Sequence, residues 1–194
     1  MKNDVKRVGV RGRGRQGILE AALALVAEGG RQALTLEAVA ARAGVSRSGL
    51  RYHFAAKEHL LTAVAQAIVA RFARACQLES ETLPDAPNRS LKSYVLASTS
   101  NRAGNDQLIA NALAAGPVHD KSMDPIRRYW QERFPPFSEA VGFDRAAVIH
   151  VATEGLWFMD VLNLSPFNVA ERDAVVRAIL ALVDGGPSPG RHRG

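Results

Sequence analysis

The chain is poor in cysteine, lysine and aromatic residues, and each shortage removes an explanation. A single cysteine, Cys76, in 194 residues rules out a disulfide within the chain. It agrees with a reducing, cytoplasmic setting. Only five of the 25 basic residues are lysine, and aromatics make up 6%. No apolar run approaches the roughly 20 residues that span a bilayer. No apolar stretch follows the basic N-terminus in the manner of a signal peptide. Enzyme signatures are also missing. The run "GVRGRGRQG" has loop-like glycines, but no strand precedes it and no Gly-Lys-Ser/Thr follows, so no nucleotide loop is predicted. There is no HExxH and no Ser/His/Asp motif with local context. Five histidines and one cysteine give poor metal-ligand arithmetic. Neither a catalytic residue nor a metal or cofactor is assigned, and a helical enzyme remains only as an alternative to exclude.

What is present is unevenly placed. Residues 1–75 hold 13 of the 25 basic side chains and five of the 19 acidic ones, which makes that stretch +8 and the remainder −2. Either a polyanion-binding module is joined to a body with another task, or the surface is simply basic.

The apolar residues follow a 3.6-residue period with no strand-like alternation. Ile18, Ala21, Ala22, Leu25 and Val26 share one face up to Gly29-Gly30. Thr35 caps a second helix striped by Leu36, Val39, Ala40 and Ala43 and closed by Gly44. Ser46 caps a short third helix to about His53. A fourth, about 57–78, carries Leu61, Val64, Ile68 and Phe72 and links two domains. "LPDAPN" (Leu83–Asn88) reads as a boundary. Further helices are predicted near Ser90–Arg102, Asp106–Ala115, Pro125–Phe134, Asp144–Leu162 and Asn168–Val183, with Pro135-Pro136 breaking or kinking the third of these. The expected fold is all-α, with about nine helices: a flexible basic arm (1–15), a helix-turn-helix domain (16–60), a helical domain (61–184) and a disordered tail (185–194).

The stretch "AGVSRSGLRYHF" (Ala43–Phe54) mixes polar and apolar residues with a purpose. Leu36–Ala43, a turn through Gly44-Val45, and Ser46–His53 have helix-turn-helix spacing. Val45 and Leu50 point inward and leave Ser46, Arg47, Ser48 and Arg51 outward at the N-terminal end of the second helix. An arginine there can donate twice to guanine O6 and N7, and the helix N-terminus favours a phosphate. Phe54 reads as a hydrophobic corner. The arm arginines Arg11, Arg13 and Arg15 are either solvated or available to the minor groove.

From Ile18 to Leu61 the chain resembles the DNA-binding domain of TetR-family transcriptional repressors. The matching runs are "ILEAALALVAEGG", "TLEAVAARAGVS" and "LRYHF" followed after two residues by "KEHLL". The resemblance implies phosphate contacts for Thr35, Ser46 and Lys57, base edges for Arg47 and Ser48, and backbone contacts for Tyr52 and His53. The chain departs from the family in three places. Its glycine stands at Gly49 rather than at Ser48. Arg51 replaces a common tyrosine, which shifts the expected base preference toward G·C. Ala56 replaces a common capping serine.

In the second half, aromatics and methionines suggest a pocket for a small, mostly apolar effector, with Tyr94, Asn101, Met123, Trp130, Phe134, Trp157 and Phe158 as candidates. His150 and Glu154 lie four apart and read as a buried or interfacial polar pair. Helix 144–162 is apolar on too many sides for one neighbour. Val148, Val151, Gly155 and Met159, with Val175, Val176, Ile179 and Leu182 of the last helix, are therefore expected to form a homodimer interface. The overall expectation is a DNA-binding regulator, a repressor released from a palindromic operator by a small molecule. The alternative is a ligand-independent dimeric DNA-binding protein.

Overall fold

The computed structural model describes residues 4–100 and 121–185, with side chains from Gly14 onward. These residues form eight α-helices and one short 3-10 turn (Lys121–Met123), with no strand among them. The chain divides into two compact units. One holds residues up to Ile68 and the segment ending at Ile126; the other holds Val69–Arg102 and the chain from Arg127.

The first unit contains α1 (Asp4–Ala33), α2 (Leu36–Ala43), α3 (Arg47–His53) and the beginning of α4 (Lys57–Glu81). Its core is one apolar cluster that includes Ile18, Ala22, Val26, Leu34, Val39, Leu50, Phe54, Leu60, Val64 and Ile68. The backbone of α1 leaves helical angles at Gly29 and Gly30. A bidentate ion pair joins Arg42 of α2 to Glu28 of α1, with nitrogen–oxygen distances of 2.6 and 2.5 Å. Arg31, just past the break, donates to Ser122 at 3.2 Å.

The second unit contains the rest of α4, then α5 (Arg89–Thr99), α6 (Asp124–Val141, from Arg127), α7 (Phe143–Val161) and α8 (Val169–Val183). Its core gathers Cys76, Leu91, Tyr94, Val95, Phe137, Ile149, Leu156, Ile179 and Val183. Asn168 and Glu171 form a reciprocal capping box that starts α8. Arg172 ties α8 down by donating to Asp160 at 2.7 Å and to the Thr99 carbonyl at 2.9 Å. The end of α8 is held by Asn88, which donates to the Val183 carbonyl at 3.0 Å, and by a Lys92–Asp184 ion pair at 2.6 Å.

The fold departs from expectation in three places. Helix α1 begins at Asp4, inside the segment expected as a flexible arm. Once a turn exists, each added residue contributes a hydrogen bond, and the Val and Arg between Gly9, Gly12 and Gly14 are compatible with a helix. The division between units falls at Ile68–Val69 inside α4, not at "LPDAPN". A continuous helix crosses it, because the apolar stripe of α4 runs on to buried Cys76. Helix α6 continues through Pro135 and Pro136 to Val141. Proline in a helix interior costs about 3 kcal/mol, but buried Phe137, stacked on Tyr94 at 5.4 Å, anchors the turn beyond it. The helix expected near 106–115, Asn101 and the tail beyond Gly185 lie outside the described residues.

Candidate nucleic-acid interface

The α2–turn–α3 unit is fixed by side chains at each end. Thr35 accepts from the Ala38 N–H at 3.1 Å and starts α2. Gly44 ends it in the left-handed region (φ 64°), its N–H directed at the carbonyls of Ala40 and Ala41. That conformation costs a Cβ-bearing residue about 1–2 kcal/mol. Ser46 then caps α3 by accepting from the Gly49 N–H at 3.0 Å. A Cβ at Gly49 would stand 3.2 Å from that cap oxygen, so glycine here leaves room for the cap itself. Leu50 and Phe54 are buried in the core of the unit and set the rotation of α3.

That rotation leaves Arg47, Ser48, Arg51 and Tyr52 on the surface, Tyr52 with 65% of its area exposed. Leu36, Glu37, Arg47, Ser48, Leu50 and Arg51 line an open groove of about 260 Å³ between α2 and α3. Arg51 makes no ion pair among the described residues. Arg47 does: it lies 3.0 Å from the Glu37 carboxylate across the groove. Ser48 Oγ is 3.0 Å from Ser46 Oγ. His53 is half-buried, edge-on to Tyr52 at 5.1 Å, and its Nε2 would be 3.2 Å from a Cβ on Gly14. Arg15 stacks its guanidinium 5.1 Å above Phe54. Lys57 opens α4, where the helix dipole disfavours a cation. A bound phosphate would reverse that cost.

The sequence-predicted DNA-facing residues, with Gly49 among them, therefore lie on or beside α2, α3 and the start of α4. The sequence reading missed Glu37 as a partner of Arg47. Ten positions separate them, on different helices, so no local spacing rule reveals the pair.

A second set of side chains meets inside the other unit. Tyr94 donates its hydroxyl proton to Glu154 at 2.8 Å and lies 3.0 Å from His150 Nδ1. Rings surround them. Trp130 is 5.3 Å from Tyr94 and 4.7 Å from His150, Phe134 is 5.8 Å from His150, and Phe72 is 6.2 Å from Tyr94. Burial raises the Glu154 carboxyl above its ordinary range, with the Tyr94 hydrogen bond opposing. Burial likewise holds the His150 ring below its own.

Of the expected pocket residues, the structure brings together Tyr94, Trp130 and Phe134. Met123 belongs to the other unit, beside Val26, Arg31 and Leu61, because the chain crosses between units at Ile126–Arg127. Trp157 and Phe158 pair with each other at 4.9 Å, and Phe158 is exposed. Phe72, on the linking helix, was missed as a member of the ring cluster; His150 and Glu154, expected as a buried or interfacial polar pair, are partly buried and join it through Tyr94.

The expected interface residues also separate. Val148 and Val151 are exposed on α7, in line with Phe158 and Leu162. Ile179 is only 3% exposed and belongs to the core of its own unit, with Val175, Val176 and Leu182 packed against that core. Of the α8 stripe, Ile179 is therefore core, while Val175, Val176 and Leu182 are only partly buried.

Comparison with known proteins agrees with this architecture. Residues 18–64 match the family described as bacterial regulatory proteins, tetR family. Residues 88–184 match the tetracyclin repressor-like C-terminal domain. The HTH-type transcriptional regulator BetI of Serratia proteamaculans (strain 568) is 26% identical over 181 residues, covering 87% of this chain and 91% of that protein. A transcriptional regulator from Rhodococcus sp. Rha1 has a similar fold, with a TM-score of 0.70 at 19% identity, covering 91% of this chain and 99% of that one. The multidrug binding protein EbrR complexed with ethidium gives a TM-score of 0.64 at 20% identity, covering 87% and 97%.

Proposed function

Since the chain belongs to the TetR family and is a DNA-binding transcriptional regulator, not an enzyme, we propose that it is a cytoplasmic repressor. It binds a palindromic operator as a homodimer and leaves it when a small molecule enters the second unit. The observation that carries this reading is the exposed face of α3, where Arg51 projects beside the Glu37–Arg47 pair above two side-chain-capped helix starts.

Arg51 reads a base edge, Arg47 and Ser48 approach neighbouring bases, and Thr35, Ser46, Tyr52, His53 and Lys57 fix the phosphates. A two-fold operator requires a two-fold protein. The stripe Val148, Val151, Phe158 and Leu162 supplies an apolar face that the chain's own described residues leave exposed. Gly155 lies between them, with nothing within 4 Å of an added Cβ, so a partner helix can approach there. Sensing is supported by the ring cluster around Tyr94 and by the shared fold of a protein that holds ethidium. An effector releases DNA only if it binds the two states of the dimer unequally.

The test is selection of genomic fragments by the purified protein, followed by footprinting. The expected result is a site with two-fold symmetry. Recovery of fragments without a shared symmetric site overturns operator recognition. Retention of operator at saturating effector favours the ligand-independent alternative.

A further inference from the structure

Two ion pairs of the first unit are built differently. Arg42 meets Glu28 with two nitrogens on two oxygens, so both groups are committed to joining α2 to α1. Arg47 meets Glu37 through one nitrogen and one oxygen at 3.0 Å, with 74% and 59% of the two side chains exposed. Among the described residues neither makes a further ion pair or side-chain hydrogen bond. An exposed single contact adds little to stability. It stands instead in the open groove between α2 and α3, together with Leu36, Ser48, buried Leu50 and Arg51.

The pair presents donors and an acceptor side by side. Arg47 keeps most of its fork of N–H donors, which fits two neighbouring acceptors. Glu37 keeps its second oxygen and the unused lone pairs of the first. The major-groove edge of a G·C pair is the converse: guanine N7 and O6 accept, and cytosine N4 donates. The base pair's own hydrogen bond holds O6 and N4 about 2.9–3.0 Å apart, and the Arg47–Glu37 contact has that spacing. An A·T edge mismatches twice. Its adenine amine would face an arginine donor, and its thymine O4 would face the carboxylate.

We propose that Glu37 is a base-reading residue. With Arg47 it recognises one G·C pair in each half-site, Arg47 donating to guanine N7 and O6 and Glu37 accepting from cytosine N4. The proposal rests on reading the exposed face of α3 as the DNA-contacting surface, and it adds to that surface a specificity determinant carried by α2.

The test measures the affinities of the full chain and of Arg47→Ala, Glu37→Ala, Glu37→Gln and Arg51→Ala, at one salt concentration. The DNAs are the selected operator and each single-pair change of it, and circular dichroism checks that every variant is folded. At one position per half-site the wild type should prefer G·C about tenfold or more. Arg47→Ala and Glu37→Ala should both lose the preference there and keep the others. Glu37→Gln, which retains a carbonyl acceptor, should keep part of it. Inosine·cytosine at that position preserves the whole major-groove edge and should bind like G·C. Opposite guanine, 2-pyrimidinone lacks the 4-amino group; it should weaken the wild type and leave Glu37→Ala unmoved. The proposal is overturned if Glu37→Ala changes all DNAs by one factor, relaxes a different position from Arg47→Ala, or responds to loss of the amine as the wild type does. If Arg51→Ala still relaxes a position of its own in those cases, the reading of α3 stands and Glu37 alone is removed from it. A wild type with no preferred site overturns both.

Discussion

The carboxylate of Glu37 on α2 stands 3.0 Å from the guanidinium of Arg47 on α3, and both side chains are mostly in solvent. Such a pair contributes only about 0–1 kcal/mol, so its consequences are orientation and charge. It orients Arg47 at the mouth of the groove and places a negative charge on the face proposed to meet phosphates. Glu37→Gln should shift Tm by no more than about 2–4 °C. It should raise the affinity for arbitrary duplex DNA a few-fold and reduce the ratio of operator to non-operator binding. A ratio unchanged from the wild type would show that Glu37 has no part in selectivity.

Arg51 and Lys57 test the division between reading and positioning. Arg51→Ala should cost about 1–3 kcal/mol on the operator and relax preference at one position per half-site. Lys57→Ala should weaken every sequence alike and reduce the slope of log affinity against log salt by about 1. The measurement is a salt series on a matched and a one-base-changed operator. Equal losses on both DNAs for Arg51→Ala would remove it from base readout.

The local parts of this fold were legible because they are set by neighbours in sequence. Thr35, Gly44 and Ser46 announce their caps, and the spacing of Leu36, Val39 and Leu50 fixes which face of each helix turns inward. What stayed hidden depends on distance. Glu37 and Arg47 meet only after a turn folds two helices together. The cluster at Tyr94 draws its rings and its acid from the linking helix, α5, α6 and α7. An apolar stripe shows that α8 must be covered, but not by what, and Ile179 turned out to be covered by its own chain. Pro135 and Pro136 marked a break that the burial of Phe137 overrides.

Glu154 makes stability depend on pH in a direction that can be checked. Burial raises its folded-state pKa above the ordinary carboxylate value, so the folded chain binds the proton more tightly than the unfolded chain. That contribution is fully present below the unfolded value and is lost as pH rises through the raised one. Without ligand, Glu154→Gln should therefore gain on the wild type as pH rises through this window, by about 2–4 °C in Tm per kcal/mol. His150 acts in the opposite sense, since its depressed value makes the unfolded state take up the proton first as pH falls. The readout is thus the difference between variant and wild-type melting curves. A difference that is flat from acid to neutral pH would mean that Glu154 is not desolvated.

The proposed dimer face on α7 can be separated from the core by choosing residues according to their burial. Val148, Val151, Phe158 and Leu162 recur at helical spacing and are all exposed, Val151 with 70% of its area. On the neighbouring α8, Ile179 is core, and a charge there should unfold the chain before it breaks a dimer. Val151→Glu combined with Phe158→Glu places two carboxylates opposite their symmetry mates. It costs little packing at Val151, and at Phe158 it gives up the edge-on contact with Trp157. The variant should sediment as a monomer with its helical content unchanged. Each half-site would then be bound singly, without the advantage of linkage, so operator affinity should fall by about 10²–10⁴. Ile179→Glu serves as the contrasting variant and should lose helical signal. A double variant that still sediments as a dimer would place the two-fold axis elsewhere on the molecule. A wild type that is monomeric at the concentrations where it binds operator would remove the interface altogether.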